Sequence, residues 1–397
     1  MNATPLSRRA LAPGSLQLAV VGASVRAAAQ SALRAGFRVV AADMFGDADL
    51  SRDVPTTRVL NYPQDLLDWL GQTECDAWFF TGAIENHCDL VDELAKLRSL
   101  WGNDADRLRR VRDPFMLQRE LAVSGIAFPE TLHGADARLD DGVWLAKTYR
   151  GASGAGVWRI DDEGAQNRVK ANHAVLQRFI DGISIAATLV VGRQATQLFG
   201  VTRQLVGDEG HPFRYNGSIG PLSVEPPIVE QLQRLGEVLR NRFDLRGLVG
   251  VDLILADGVA WVVEVNPRYT ASVEILERAL EISAIQAHVA ACQGSELEQL
   301  RLAPSPRDAS HAAIHGKRIL YAPSDATVSP EFHAWAMERA PLDVRRQLLA
   351  DIPAAGETIR AGQPVLTMFA AAASHSDCEE RLSERRREVL RRLSGGP

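Results

Sequence analysis

A pair of apolar runs around an Asp-Gly turn constrains the fold of this chain more than any other feature. The run GVDLILADGVAWVVEVNPR begins at Gly250 and predicts an antiparallel hairpin that turns at Asp257-Gly258. In its second strand Glu264 and Asn266 share one face, because side chains alternate along a strand. With a rise of roughly 3.3 Å per residue, the two lie about 7 Å apart. The hairpin therefore presents polar side chains on one face of an otherwise apolar ribbon.

Asp252, on the first strand, joins this face only if it pairs directly with Glu264. A two-residue Asp257-Gly258 loop would shift the pairing by one position and turn Asp252 to the other face. We therefore predict either a three-residue loop that includes Val259, with Gly258 in the left-handed conformation, or a β-bulge.

Two carboxylates and an amide oxygen on one face are ligands that magnesium prefers. Asp252, Glu264 and Asn266 are therefore candidate ligands of one or two Mg²⁺ ions bound to a triphosphate. Arg268 follows the strand, and its guanidinium is a candidate bidentate donor to a phosphate or a substrate carboxylate. The alternative is an ordinary hairpin with a solvated polar face, which the three oxygen ligands and the Asn-Pro-Arg ending disfavour.

A lysine and a glycine-rich turn form a second candidate element, in VWLAKTYRGASGAGVWRI. Lys147 lies within an apolar strand, where its charge needs an anionic partner to offset desolvation. A glycine turn at Gly151, Gly154 and Gly156 can fold over phosphates and donate backbone N–H groups. Many ordinary hairpins carry similar turns, so phosphate binding and a plain turn both stay open. The next strand, VLQRFIDGIS, is by itself typical of a core strand.

The order of elements along the chain indicates several domains, because 397 residues are too many for one core. Alternating apolar strands and helices over residues 16–110 predict a parallel sheet covered on both faces. Residues 111–305 predict an α+β domain with a mostly antiparallel sheet, and residues 306–397 a small third unit. Residues 1–15 carry no long apolar run, which predicts a flexible leader.

Composition narrows the classes of partner. The net charge of −6 disfavours a nucleic-acid surface, which needs a basic stripe. No stretch of the sequence approaches the roughly 18 uncharged apolar residues of a membrane span. Four scattered cysteines without a CxxC spacing favour free thiols in a reducing compartment. We therefore predict a soluble, cytoplasmic protein.

The order of the elements, from the lysine strand and glycine turn to the metal hairpin, resembles the ATP-grasp superfamily over essentially the whole chain. The resemblance is closest to its biotin-carboxylase-like branch, and there to a group of predicted ATP-dependent carboligases. It implies a mixed α/β and α+β architecture, the ATP-grasp fold. In that fold residues 16–110 form a Rossmann-like domain, 111–305 the ATP-grasp domain with a lid at about 126–182, and 306–397 a small β-rich closing domain. It also implies ATP and Mg²⁺ as ligands, with Mn²⁺ as an alternative metal.

The resemblance also assigns residues. Lys147 corresponds to a lysine that contacts the ATP phosphates and Arg268 to the arginine of an Asn-Pro-Arg signature, and TGAIENHC supplies Glu85 and Asn86 as candidate substrate contacts. The lid over the phosphates includes Gly151, Ser153, Gly154 and Gly156. The strand that binds adenine corresponds to Gln177, Arg178, Phe179 and Ile180, and a glutamate is commoner at the first of these positions.

A polar segment between strands, TRQLVGDEGHPFRYNGSIGPL, is a candidate substrate loop. Four of its residues are candidate contacts to an acceptor or an acyl phosphate: Arg203, Arg214, Tyr215 and Asn216. Tyr269, after the Asn-Pro-Arg signature, is another candidate substrate contact. Arg214 is predicted to be catalytic together with Lys147 and Arg268. An ordinary surface loop is an equally good interpretation of this segment.

Departures from the family pattern limit the assignment. The segment VRDPFMLQRE lacks a second nucleotide-contacting lysine, so either Arg110 or Arg112 replaces it or the contact is absent. A biotinyl Met-Lys-Met motif is missing from the sequence, which disfavours a true biotin carboxylase. The run VVGASVRAA lacks a full Gly-x-Gly-x-x-Gly fingerprint, which disfavours a dehydrogenase.

The leading prediction is an ADP-forming ligase that joins a small-molecule carboxylate to an amine through an acyl phosphate. The resemblance further suggests a homodimer and a place in the biosynthesis of a one-carbon cofactor of the tetrahydromethanopterin or methanofuran type. One alternative is a biotin-carboxylase-like carboxylase or carboxylate kinase. Another is a non-catalytic nucleotide-binding regulatory protein, which the intact set of metal ligands disfavours.

Overall fold

The computed structural model describes residues 16–134, 142–160, 163–295 and 313–395, together with Gly14, Leu139 and Leu297. The predicted leader over residues 1–15, apart from Gly14, lies outside the described residues. So does the predicted domain boundary at residue 305.

A four-stranded parallel sheet in the order β3-β2-β1-β4 forms the N-terminal domain. Its strands are β1 (Gln17–Gly22), β2 (Arg38–Asp43), β3 (Thr56–Arg58) and β4 (Ala77–Phe80). Its helices are α1 (Arg26–Arg34), α2 (Ala48–Asp53), α3 (Leu66–Gln72), α4 (Cys88–Leu97) and α5 (Ala105–Val111). Along β1, Leu18 and Val20 pack into one apolar cluster and Ala19 and Val21 into another, so both faces are covered, as predicted.

A small antiparallel sheet opens the central domain after α6 (Pro114–Val123), with the strand order β5-β8-β6-β7. Its elements are β5 (Thr131–His133), β6 (Trp144–Lys147), β7 (Val157–Arg159), α7 (Glu163–Ala171) and β8 (Val175–Arg178). Trp144, Ala146 and Leu176 pack together on one face of this sheet. Because side chains alternate, Lys147 and Gln177 point from the opposite face.

An eight-stranded sheet, in the order β13-β12-β9-β10-β11-β14-β18-β16, forms the rest of the molecule. The central domain supplies β9 (Ile183–Val191), β10 (Thr196–Asp208), β11 (His211–Gly220), β12 (Gly247–Ala256) and β13 (Val259–Asn266). The C-terminal segment supplies β14 (Ile314–Tyr321), β16 (Leu349–Ala350) and β18 (Pro364–Ala372), and a separate pair, β15 (Ala326–Thr327) with β17 (Thr358–Ile359). Since β14 pairs with β11, the predicted third unit extends the central sheet.

Helices cover the large sheet and join it to the N-terminal domain. They are α8 (Pro226–Phe243), α9 (Val273–Leu280), α10 (Ala284–Gln293), and two C-terminal helices, Pro330–Glu338 and His375–Leu393. Helix α8 contributes Leu232 and Leu235 to one apolar cluster with Ile185 and Leu189 of β9. Among the described residues, no helix combines the length and apolar character needed to cross a bilayer. The mixed α/β and α+β architecture predicted from the sequence is confirmed.

Candidate active site

The predicted pairing of Asp252 with Glu264 is confirmed, and of its two predicted causes, a three-residue loop or a β-bulge, the structure has the β-bulge. Asp257 and Gly258 form a two-residue turn with φ angles of 49° and 73°, which matches the twist of the flanking strands. The three-residue loop is therefore not the cause. The register shifts further along, between Asp252 and Leu253, where the second strand has one extra residue. This β-bulge brings the two carboxylates to the same face.

The extra residue of the bulge, Val263, also contacts the predicted phosphate-binding lysine. The Lys147 ammonium donates a hydrogen bond to the Val263 carbonyl at 3.4 Å, across the gap between the small sheet and the hairpin. Burial lowers the pKa of Lys147, and the carboxylates of Glu264 and Asp252 oppose that effect. The lysine therefore lies over the face that carries both carboxylates, where an anionic group of a ligand would stabilise its charge.

Asp252 is held from both sides by amide groups. Gln204 Nε2 donates to its Oδ1 at 2.7 Å, and Asn266 Nδ2 donates to its Oδ2 at 2.9 Å. Burial and the negative charge of Glu264 raise the pKa of Asp252 to about 7. Glu264 is half-exposed and has Arg112 Nη1 at 3.9 Å from its Oε1. The two carboxylates are thus incompletely neutralised by the described residues around them.

The donor set fits a hard divalent cation. Among the described residues no three His, Cys, Asp or Glu side chains converge on a metal-sized site. The set formed here is two carboxylates and the amide oxygen of Asn266, all oxygen donors of the kind that Mg²⁺ binds together with water and phosphate oxygens. A cation between Asp252 and Glu264 would also relieve their mutual repulsion.

Arg268 links the hairpin to the N-terminal domain. Its Nε donates to Glu85 Oε1 at 2.6 Å, and its Nη2 donates to Asn266 Oδ1 at 3.2 Å. Glu85 lies on a 3₁₀ turn, Ile84–Asn86, directly after β4. A Cβ atom on Gly82 would lie 3.0 Å from the Arg268 guanidinium, so glycine permits this close approach. Glu85 Oε2 is buried at the edge of the site without a hydrogen-bond partner among the described residues.

The glycine turn between β6 and β7 folds onto β11. The Tyr215 backbone N–H donates to the Ser153 carbonyl at 3.1 Å. A Cβ atom on Gly154 would lie 1.8 Å from the Phe213 carbonyl oxygen, and the φ angle of Gly154 is +80°, so this position requires glycine. The turn therefore forms a roof that joins the small sheet to the large one above the carboxylates.

A cleft of about 1250 Å³ lies between the small sheet, the hairpin and this roof. It brings together most of the predicted site residues, whose individual roles stay predictions: Glu85, Lys147, Gly151, Ser153, Gly154, Gln177, Arg178, Phe179, Ile180, Tyr215, Asp252, Glu264, Asn266 and Arg268. An adjoining recess of about 820 Å³ extends past Arg112 and Pro114.

Several predicted residues lie outside the cleft walls. Arg214 pairs with Asp208, and its guanidinium stacks 3.8 Å from the ring centroid of Tyr321, so it faces the C-terminal segment. Arg203 pairs with Glu379 of the last helix. Both arginines thus pair with carboxylates outside the cleft walls, and the catalytic role predicted for Arg214 has no support from its position.

Three further predicted residues make hydrogen bonds within the protein: Tyr269, Asn216 and Gly156. A fourth, Asn86, contacts Arg112, which lines the recess beside the cleft. Tyr269 is buried in the core and its hydroxyl donates to Glu277 Oε2 at 3.1 Å, so it does not face a substrate. Asn216 Nδ2 donates to the Gly207 carbonyl at 2.9 Å, and the Gly156 carbonyl closes the glycine turn by accepting from a backbone N–H. Asn86 Oδ1 accepts from Arg112 Nη2 at 2.6 Å.

The structure distinguishes the two candidate replacements for the missing lysine. Arg112 reaches the recess beside the cleft and donates to the Tyr149 carbonyl at 3.1 Å. Arg110 donates instead to the carbonyl of Arg242, away from the cleft. Of the two, only Arg112 is placed to contact a nucleotide.

The sequence-based prediction missed Gln204, the residue that holds Asp252. Ser184 Oγ donates to Gln204 Oε1 at 2.7 Å. One continuous hydrogen-bond network therefore joins Ser184, Gln204, Asp252 and Asn266. Gln204 follows the predicted Arg203, and successive residues of a strand point to opposite faces. Recognition of residues 196–208 as a strand, rather than a loop, would have indicated Gln204.

Comparisons with known proteins agree with this geometry. Residues 111–272 match the model of the ATP-grasp domain. An uncharacterised protein of Methanocaldococcus jannaschii is 21% identical over 90% of this chain and 88% of its own length. The L-amino acid ligase of Bacillus licheniformis superposes with a TM-score of 0.68 at 16% identity, covering 93% of this chain and 96% of the ligase. An ADP complex of N5-carboxyaminoimidazole ribonucleotide synthetase superposes with a TM-score of 0.70 at 15% identity, covering 98% and 100%.

These matches establish the fold over nearly the whole chain. The central region matches the ATP-grasp domain, and the parallel sheet before it and the strands after it are arranged as in the two superposed structures. The sequence-based prediction of this fold is confirmed.

Proposed function

We propose that this ATP-grasp protein is an ADP-forming ligase that joins a small-molecule carboxylate to an amine through an acyl phosphate. One observation carries the proposal. The Val263 bulge places Asp252 and Glu264 together beneath Lys147, with Arg268 at the end of the same face. This arrangement provides positive charge and a metal-ligand set around one point of the cleft.

The proposed reaction has two steps. An oxygen of the substrate carboxylate attacks the γ-phosphorus of ATP, the bond to the β–γ bridging oxygen breaks, and ADP leaves. The amine nitrogen then attacks the acyl carbon, inorganic phosphate leaves, and the nitrogen loses a proton. Lys147 would stabilise charge on the transferred phosphoryl group, and Arg268 would orient the carboxylate. Bound by Asp252, Glu264 and Asn266, Mg²⁺ would neutralise charge on the triphosphate, and Mn²⁺ offers similar chemistry.

The roof and the N-terminal domain support the choice of a ligase. Acyl phosphates hydrolyse in water, and the roof formed by the turn around Ser153 and Gly154 shields the reacting groups. Glu85 supplies a buried carboxylate oxygen without a partner among the described residues, which suits a substrate amino group. The carboxylate and the amine would thus meet beside the Arg268–Glu85 ion pair.

The test is a screen for ADP release by the full-length protein with ATP, Mg²⁺, and an array of carboxylates and amines. Once a substrate pair is found, Lys147→Ala and Glu264→Ala should each reduce ADP formation by on the order of 10²–10³. The matched controls Lys96→Ala and Glu93→Ala, which change an exposed surface pair, should retain activity. Near-normal turnover in both cleft variants would contradict the site assignment.

The same screen separates the alternatives. ADP release that depends on bicarbonate and needs no amine would identify a carboxylase or carboxylate kinase. Nucleotide binding without ADP release from any acceptor would identify a non-catalytic nucleotide-binding protein. A role in one-carbon cofactor biosynthesis and a homodimer stay predictions from the resemblance, and a cytoplasmic location stays a prediction from the composition.

A further inference from the structure

The small sheet presents an ordered series of side chains to the cleft. Lys147 pairs with Val175, and Leu145 pairs with Gln177, one pleat further along. All four side chains line the cleft or its recess. The glycine roof and the metal-ligand set lie at the Lys147 end, so this end takes the phosphates. Gln177, about 7 Å further along the strand, lies toward the other end of the nucleotide, where the base would be.

The orientation of the Gln177 amide is fixed by a neighbour that does not line the cleft. Thr131 lies directly opposite Gln177 on β5, and the two side chains share a face. Gln177 Nε2 lies 3.2 Å from Thr131 Oγ1, and the same Oγ1 lies 3.0 Å from the Pro129 carbonyl oxygen. Thr131 and Gln177 are both buried.

The single hydroxyl proton of Thr131 determines which way the Gln177 amide points. The Thr131 hydroxyl has one proton, and it donates this proton to the Pro129 carbonyl, which can only accept. The hydroxyl must therefore accept from Gln177, which requires the NH₂ group of the amide to face Thr131. The amide oxygen consequently points the other way, and it accepts no hydrogen bond within the described part of the chain.

We propose that Thr131, by holding the Gln177 amide in this orientation, makes the cleft select a 6-amino purine, adenine, over a 6-oxo purine. The inference rests on the proposed function, because it assumes that a nucleotide lies in the cleft. Gln177 Oε1 would accept from the 6-amino group of adenine. Guanine would place the lone pairs of its 6-oxo group against those of Oε1, which is repulsive. A glutamine free to rotate could satisfy either base, so the selectivity depends on Thr131.

The test compares the binding of Mg·AMPPNP and Mg·GMPPNP to the full-length protein by calorimetry. Wild-type protein should bind AMPPNP at least about tenfold more tightly, since one hydrogen bond is gained and one repulsion avoided. Thr131→Val keeps the shape of the side chain but removes the hydroxyl, and it should reduce this ratio by about tenfold. Thr131→Ser retains the hydroxyl, and it should keep the wild-type ratio.

Gln177→Met provides a second variant should Thr131→Val not fold, and it should lower the ratio by removing the acceptor. Equal affinity of wild-type protein for both nucleotides would overturn this inference and leave the proposed function intact. A wild-type ratio in Thr131→Val, or in Gln177→Met, would also overturn it. Failure of wild-type protein to bind either nucleotide would overturn both the inference and the proposed function.

Discussion

The cleft and a buried junction of the three chain regions both concentrate charge inside the protein, but they balance it differently. In the junction, Arg26 of α1 contacts Glu274 of α9 and donates to Asp351 Oδ1 at 2.8 Å, and Lys317 of β14 lies 3.2 Å from Glu274. Burial raises the pKa of Glu274, but the positive charges of Arg26, Lys317 and Arg278 outweigh it and hold this pKa well below its usual range. At Glu274 the negative charge is therefore balanced by neighbouring cations.

The cleft lacks this balance. Burial and the nearby Glu264 raise the pKa of Asp252 to about 7, and the cations nearest to it oppose that shift only in part. Buried charges are costly unless they are paired, so an under-compensated pair of carboxylates is expected where a ligand supplies the missing charge. The comparison indicates that the junction stabilises the arrangement of the three regions, whereas the cleft gives up stability for binding.

The largest expected effect that tests this comparison is on stability. Glu274→Ala leaves Arg26 and Lys317 buried without their shared partner, so the free energy of unfolding should fall by about 3–5 kcal/mol, as measured by urea denaturation. Glu264→Ala removes a half-exposed carboxylate of the cleft, and it should change stability by less than about 1 kcal/mol. Equal losses in the two variants would show that the two charge clusters do not differ as proposed.

The next effect is the pH dependence caused by Asp252. Its pKa is about 7 in the folded protein and 3.8 in the reference state, so between about pH 4 and pH 7 the folded state binds more protons than the unfolded chain. The contribution of Asp252 to stability therefore falls as the pH rises through this range. Asp252→Asn should abolish that fall.

The measurement is urea unfolding of wild-type protein and Asp252→Asn at several pH values without divalent metal. The variant should be similar to wild type near pH 4.5 and more stable at pH 7.5. Saturating Mg²⁺ with ADP should reduce the difference at pH 7.5 by neutralising the wild-type carboxylate. A difference that stays constant with pH would contradict the assigned shift.

The two regions also differ in how far the sequence could predict them. The cleft was largely predictable because its residues follow local patterns: alternation put Glu264 and Asn266 on one face and required Asp252 to pair with Glu264. The position of the bulge was not predictable, because a loop of three residues would have produced the same pairing, and the strand register beyond it depends on packing against the rest of the sheet.

The junction could not be predicted at all. Arg26 lies 248 positions from Glu274 and 325 from Asp351 in the chain, and each alone is typical of a surface residue. Only the pairing of β14 with β11 brings Lys317 to the same place. The predicted role of Arg214 had no support from the structure for a related reason, since the partner that orients it away from the cleft, Asp208, belongs to the segment interpreted as a loop.

The smallest expected effect concerns Arg112, which lies at the boundary between the cleft and its recess. It contacts Asn86 Oδ1 and the Tyr149 carbonyl and lies near Glu264, so its charge is shared among neighbours and is available to a nucleotide phosphate. Arg112→Ala should weaken Mg·AMPPNP binding by about tenfold, the cost of one charge-assisted hydrogen bond. Arg110→Ala, which alters an arginine directed at the Arg242 carbonyl, is the matched control and should leave this affinity unchanged. If Arg112→Ala instead binds the nucleotide as tightly as wild type, the cleft carries no replacement for the missing lysine at this position, and Lys147 and Arg268 supply the positive charge around the phosphates.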